Sequence, residues 1–207
     1  MSSPTQLIPL VTSNIPYATP QATLDCGCGI GKWGGIIRCH RREMKNAYLV
    51  GLDIFLPNLK YCKKYGAYDD LILADASKLP FKNNGLELIL ACEIIEHMNK
   101  EDGEDFLDEL ERACSGRIIV TTPNVYFDNP IEYENHQKNK WETHHSKWNV
   151  KDFRKRGYEV NGIGFKLPST LGLWNVMGAV DFLLFPAWFL PQLAKFLVAH
   201  KNKPVGA

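Results

Sequence analysis

The sequence predicts an α/β sandwich in which a mostly parallel seven-stranded sheet is doubly wound with helices. Three observations carry this expectation. From residue 22 onward, short apolar runs alternate with amphipathic segments whose apolar residues recur at helical spacing. The first three runs stop at an acid, at Asp25, Asp53 and Asp75. The first then breaks into Gly27, Gly29 and Gly31, spaced two apart. Glycine reaches positive φ and carries no Cβ, so the backbone there can turn sharply and lie against a bulky ligand.

Taken in order, residues 1–20 hold Pro4, Pro9, Pro16 and Pro20 and read as an irregular arm, because proline interrupts a helix. The domain proper is expected over 21–207. Strands are expected at 23–25, 47–53, 69–76, 86–92, 117–124, 158–165 and 194–200. Helices are expected at 31–43, 56–65, 100–114 and 150–156. The third of these places Phe106, Leu107, Leu110 and Ala113 on one face and acids on the other, with Gly116 as its stop.

This assignment leaves 167–192 as an apolar insertion between the last two strands. Its stretch 171–191 carries a single formal charge, Asp181. That central acid, with Pro186 and Pro191, argues against a membrane span. The remaining readings are a lid over an acceptor pocket, a membrane-surface contact through Trp174, Trp188 and the phenylalanines, or a dimer or core contact through 171–190.

Composition excludes several classes. The 207 residues suit one domain, 45% are hydrophobic, and the formal net charge is +1 with no long basic block. No nucleic-acid partner is therefore expected. The six cysteines sit singly rather than in a disulfide framework, and the N-terminus has no signal-like core. A reduced, cytoplasmic protein is expected, peripheral to a membrane if the insertion docks there.

The glycine loop alone does not decide the ligand. Gly29-Ile30-Gly31-Lys32-Trp33-Gly34 also fits the GxGxxG dinucleotide pattern, and Asp53 ending the second strand suits a ribose diol in either case. The third strand separates them, because its acid Asp75 is followed by Ala76 and Leu79-Pro80-Phe81. With Leu86 to His97, which carries a Glu-His pair after the fourth run, and the fifth run Arg117 to Asn124, the order resembles the class I S-adenosylmethionine-dependent methyltransferases of the domain 11 type. The resemblance covers about residues 20–165 and the final strand, and implies a Rossmann-like doubly wound fold whose last strand is antiparallel. It implies S-adenosylmethionine as cofactor and S-adenosylhomocysteine as product, held by Asp25, Gly27, Gly29, Gly31, Asp53 and Asp75, with Ala76 and Cys92 as backbone neighbours. Asp75 takes the place where the family receives the adenine amino group. A non-catalytic cofactor-binding partner or sensor is the alternative, with an NAD-dependent oxidoreductase behind it.

On the acceptor side, Glu93, Glu96 and His97 follow the fourth strand, where ligands bind in open α/β sheets. Glu93 and His97 are expected to line the acceptor pocket; hydrogen bonding around a helix start is the alternative. The long segment 124–148 holds Tyr126, Tyr133, His136, Trp141, His144, His145 and Trp148, and loops of this length are usually functional. His144-His145-Ser146-Lys147-Trp148 resembles an "H-x-S-x-W" segment of one branch of the family. His144 is the first candidate for a general base and His145 the second, since imidazole titrates near neutrality. Tyr126 and Trp148 are expected at the substrate, whereas Trp33 is divided between a sulfonium contact and core packing. Glu134, His136, His144 and His145 lack H-E-x-x-H spacing, and Cys26-Gly27-Cys28 is no zinc knuckle, so no metal is expected. Methyl transfer to a small-molecule or lipid-like, amphiphilic acceptor, at oxygen, is the expected function.

Overall fold

A computed structural model describes residues 3–16, 20–40, 47–124, 133–134, 137–165 and 186–203. Its strands are β1 (Ala22–Cys26), β2 (Tyr48–Asp53), β3 (Asp70–Leu73), β4 (Leu86–Cys92), β5 (Cys114–Pro123), a short hairpin of β6 (Tyr133–Glu134) and β7 (Gln137–Lys138), β8 (Glu159–Phe165) and β9 (Ala194–Asn202). The helices are α1 (Leu7–Asn14), α2 (Lys32–His40), α3 (Leu56–Tyr65), α4 (Lys100–Ala113), α5 (Val150–Arg154) and α6 (Pro186–Phe189).

Seven strands form one sheet in the order β3-β2-β1-β4-β5-β9-β8. The first five run parallel, and β9 pairs antiparallel with both β5 and β8. The expected fold class is the observed one.

Side chains of a strand point alternately to its two faces, and the sheet is apolar on both. Leu88, Leu90 and Cys92 of β4 enter one core, with Ile119, Phe196 and Val198 from the neighbouring strands. Ile89 and Ala91 enter the other, against Phe106, Leu107 and Leu110 of α4. Asn99 starts α4 by accepting the Asp102 N–H at 2.9 Å. A capping box between Asn149 and Asp152 starts α5.

Four expectations are corrected. The N-terminal arm is not irregular: Leu7–Asn14 form α1, and Leu7, Leu10 and Val11 are wholly buried in the core that contains Trp33 and Leu49. Pro9 is the third helical residue after the cap Gln6, where the N–H has no intrahelical acceptor, so its absence costs no bond. The helix end is tied to the sheet by Arg117, which donates to Asn14 Oδ1 at 3.3 Å and contacts His200 Nδ1 at 3.0 Å.

Gly116 does not cap α4. The helix passes directly into β5 at Cys114, and Gly116 lies where the β4–β5 register shifts. A Cβ there would stand 2.2 Å from the Glu87 carbonyl oxygen. β3 stops at Leu73, so Asp75 sits in the turn beyond it, where its Oδ1 accepts the Ser77 N–H at 2.9 Å. Most of the apolar insertion, 166–185, lies outside the described residues. Its end is α6, with Trp188, Phe189 and Leu190 exposed. Among the described residues no helix is long and apolar enough to cross a membrane.

The fourth correction concerns Asp25, which is held in a polar tie inside the fold. Its carboxylate is fully buried and accepts the Tyr68 hydroxyl at 2.6 Å. The Tyr68 oxygen in turn accepts the Gly34 N–H of α2 at 3.2 Å. Gly34 is required there, since a Cβ would fall 2.4 Å from the Tyr68 ring. Burial pushes the Asp25 carboxyl up to about 7, against the lowering effect of the Tyr68 bond.

Two outcomes follow from this packing. Leu10→Ala is expected to lower unfolding free energy by about 2–5 kcal/mol, the cost of emptying a wholly buried leucine site. Urea denaturation measures it, and an unchanged midpoint would detach α1 from the core. Asp25 has its folded pKa raised above the unfolded value, so its contribution is complete below about pH 4 and is lost as pH rises towards 7. Asp25→Asn keeps an acceptor for Tyr68 but cannot ionise; its melting temperature should fall less than that of the parent between those limits. Parallel pH profiles would refute the assignment.

Candidate active site

Because β1 is followed on one side by β2 and on the other by β4, the chain changes direction between them, and a crevice opens at the carboxyl ends of the strands. A cavity of about 540 Å³ lies there. It is lined by Gly27 to Ile30 after β1, Leu52 to Ile54 at β2, Ala74 to Ser77 after β3 and Cys92 to Ile94 after β4. Five acids, Asp53, Asp75, Glu93, Asp102 and Glu142, line it against two lysines, Lys32 and Lys140.

The glycine turn is built on one carbonyl. Leu52 O accepts the Gly27 and Cys28 N–H groups at 2.8 and 2.9 Å. Gly27 has φ +72°, and a Cβ on it would meet Ile94 Cδ1 at 2.7 Å. Gly29 donates its N–H to Asp53 Oδ2 at 2.8 Å, while Asp53 Oδ1 accepts from Phe55 N at 2.7 Å. Burial raises the Asp53 carboxyl, and these backbone bonds oppose the rise. Around the missing Cβ of Gly29 no atom lies within 4 Å, so the loop is open to a ligand at this point. Ser3, just ahead of α1, closes one edge: it accepts from Lys32 Nζ through its carbonyl and from Trp33 Nε1 through its hydroxyl at 3.1 Å.

After β4 the chain is strained. Glu93 has φ +56°, a conformation costing a non-glycine residue about 1–3 kcal/mol. Thr121 holds it there, accepting the Glu93 N–H through its carbonyl at 3.0 Å and donating its hydroxyl to Glu93 Oε1 at 2.8 Å. Burial pushes the Glu93 carboxyl up to about 7 and pushes Glu96 well above the carboxylate range. A 3₁₀ turn, Ile95–His97, follows. Its Glu96 carbonyl accepts the His145 and Ser146 N–H groups at 2.8 and 3.1 Å, bringing the segment 139–148 over the cavity. His97 Nδ1 lies 3.2 Å from the Thr143 carbonyl, and burial lowers its pKa to about 4.

The structure brings Gly27, Gly29, Asp53, Asp75, Ala76, Cys92, Glu93, His97 and His145 to this one cavity. Asp25 and Gly31 are not among the residues that line it. Trp33 is almost wholly buried in the core and also reaches the cavity wall. Trp148 is no substrate contact: it is wholly buried, its Nε1 donates to Ser146 Oγ at 2.9 Å, and its ring lies against Phe153 and α4. The spacing of Ser146 and Trp148 thus serves loop folding. His144, the first candidate base, is outside the cavity lining and packs on His97 with ring centroids 4.9 Å apart. Tyr126 lies outside the described residues.

Among the described residues, Glu96, His97 and His144 bring one ligand atom each within 4.8 Å of one another. Sequence reasoning passed over this grouping, and also over Tyr68, Asn58, Asn139 and Glu142. The sequence marks its parts as two separate segments, the Glu-His pair after β4 and the His144-His145 pair, and no local pattern joins them.

Comparison with known proteins agrees with this geometry. Residues 24–118 match the family model described as a methyltransferase domain. An uncharacterized protein of Methanocaldococcus jannaschii is 30% identical over 151 residues, which is 70% of this chain and 59% of that one. Ajmaline N-methyltransferase of Rauvolfia serpentina is 29% identical over 120 residues, 55% of this chain and 39% of that one. The chain therefore spans less than two thirds of the length of these curated relatives. An S-adenosylmethionine-dependent methyltransferase from Mesorhizobium loti superposes with a TM-score of 0.61 over 96% of this chain and 98% of its own, at 13% identity, and shows the shared fold. Residues 24–118 thus match a methyltransferase domain, and the fold is shared with solved S-adenosylmethionine-dependent methyltransferases.

Proposed function

We propose that the protein transfers a methyl group from S-adenosylmethionine to an oxygen of a small, amphiphilic acceptor. The observation that supports this most is the single cavity shared by the glycine loop, Asp53 and Asp75 with the imidazoles of His97 and His145. The residues fit the cofactor. Gly29 leaves room for a ligand against the backbone, Asp53 and Asp75 present carboxylates at the ends of successive strands, and the acidic lining suits a ligand bearing ammonium and sulfonium charges. The volume is in the ordinary range for small-molecule sites.

When bound, the cofactor supplies an activated methyl group. The chain's task is then to align the acceptor and keep water out, and alignment alone can be worth about 7–11 kcal/mol. His145, on the cavity wall, is the group suited to take the acceptor's hydroxyl proton. Ile94, Met98 and Trp141 also line the cavity and suit an acceptor with an apolar part. The exposed Trp188, Phe189 and Leu190 at the end of the apolar insertion are in keeping with an amphiphilic acceptor or a membrane-surface contact.

Calorimetric titration with S-adenosylmethionine and S-adenosylhomocysteine should give saturable binding. Asp53→Ala should weaken it by about 1.5–3 kcal/mol, the worth of hydrogen bonds to a charged group. Full affinity in that variant would remove Asp53 from the cofactor site, and binding of NAD alone would overturn the whole reading. With a hydroxyl-bearing acceptor in hand, His145→Ala should cut the rate of S-adenosylhomocysteine release by about 100-fold or more while cofactor affinity stays put. Unchanged turnover would return His145 to loop structure.

A further inference from the structure

We propose that Glu96, His97 and His144 bind a divalent first-row transition ion whose remaining coordination positions face the cavity. One ligand atom from each residue lies within 4.8 Å of the others. Ions of this class hold nitrogen and oxygen ligands at about 2.0–2.2 Å, which puts ligand atoms of one ion about 3–4 Å apart. A small contraction of the three side chains completes the site.

Two details point to a cation rather than to chance proximity. Glu96 is 2% exposed, and its Oε2 accepts the Thr122 hydroxyl at 3.1 Å, yet its Oε1 is buried and has no hydrogen-bond partner. Buried oxygens are nearly always partnered, and a carboxylate oxygen of this residue lies within 4.8 Å of a ring nitrogen of each imidazole. His97 Nδ1 meets the Thr143 carbonyl at 3.2 Å. A carbonyl only accepts, so Nδ1 carries the proton and Nε2 presents a lone pair, the tautomer a metal ligand needs. The backbone bonds from His145 and Ser146 to the Glu96 carbonyl hold the residue after His144 against the 3₁₀ turn, so the ligands are positioned by backbone rather than by flexible side chains.

Two imidazoles and one carboxylate favour zinc, iron, cobalt or nickel over magnesium or calcium, which prefer oxygen alone. His97 lines the cavity, as do the neighbouring carboxylates of Glu93 and Glu142. An ion at this place has open positions towards the acceptor. If the proposed methyl transfer holds, it would bind the acceptor oxygen and ease loss of its proton, a role that rests on that reading. The binding site itself does not depend on it.

The test uses untagged full chain, stripped of metal with a chelator and titrated with Co²⁺, followed by visible absorption and calorimetry. One equivalent should bind with new d–d bands, and Zn²⁺ should displace it. Glu96→Gln and His144→Gln should each weaken Co²⁺ binding at least tenfold while S-adenosylhomocysteine affinity is retained, which checks the fold. Because His144 lies in the loop, its variant carries the test if Glu96→Gln fails to fold. No saturable binding in the parent, or undiminished affinity in the variants, overturns the site. Co²⁺ binding that behaves as expected in a protein that ignores S-adenosylhomocysteine leaves the site standing and removes the methyltransferase reading; folding of the variants is then checked by circular dichroism.

Discussion

The carbonyl of Leu52 is the point on which the carboxyl edge of the sheet depends. It accepts two successive N–H groups from Gly27 and Cys28, and so turns the chain out of β1 towards β2. Asp53, the next residue, then takes the Gly29 N–H, and the tip of Ile94 closes over Gly27 from β4. The ends of three adjacent parallel strands are thereby locked to one loop. A side chain at Gly27 would need both an unfavourable φ and the space already held by Ile94. The same lock leaves Gly29 facing open space, so the constraint that closes the fold also makes the ligand site.

The fold buries several carboxyl groups around this lock. Asp25 and Glu96 are removed from water, Glu93 is half-buried at the cavity wall, and burial raises the pKa of each. Tyr68, Thr121 and Thr122 supply one hydroxyl apiece, which is less than ionised carboxylates require. Together with the positive φ of Glu93, this is stability given up at one place in the molecule. Such concentrations of strain and charge are typical of sites built to meet a charged ligand.

The segment 139–148 shows how a motif divides between folding and chemistry. Ser146 and Trp148 bind each other, and Ser146 also bonds the Ile95 carbonyl, while Lys100 stacks on the indole and donates to the Lys147 carbonyl. These contacts fix the loop to the start of α4. The neighbouring histidines are then presented in different directions, His145 to the cavity and His144 to the ring of His97.

What the sequence determined by itself is local. Apolar runs of strand length, acids at their ends and glycines two apart were enough to order β1 to β5 and to place Asp53 and Asp75, because alternation and turn chemistry are written within a few neighbouring residues; the antiparallel end of the sheet followed from the family resemblance. Where it failed, the deciding term was not local. Pro9 looked like a helix breaker until its position in the first turn was known, Gly116 looked like a helix stop until Glu87 was beside it, and Asp25 looked like a ligand contact until Tyr68 arrived from the far side of α3. Only the tertiary structure decided which histidine reaches the cavity and that Glu96, His97 and His144 meet, because residues distant in the chain become neighbours only after the sheet has paired and the loop has folded back over its edge.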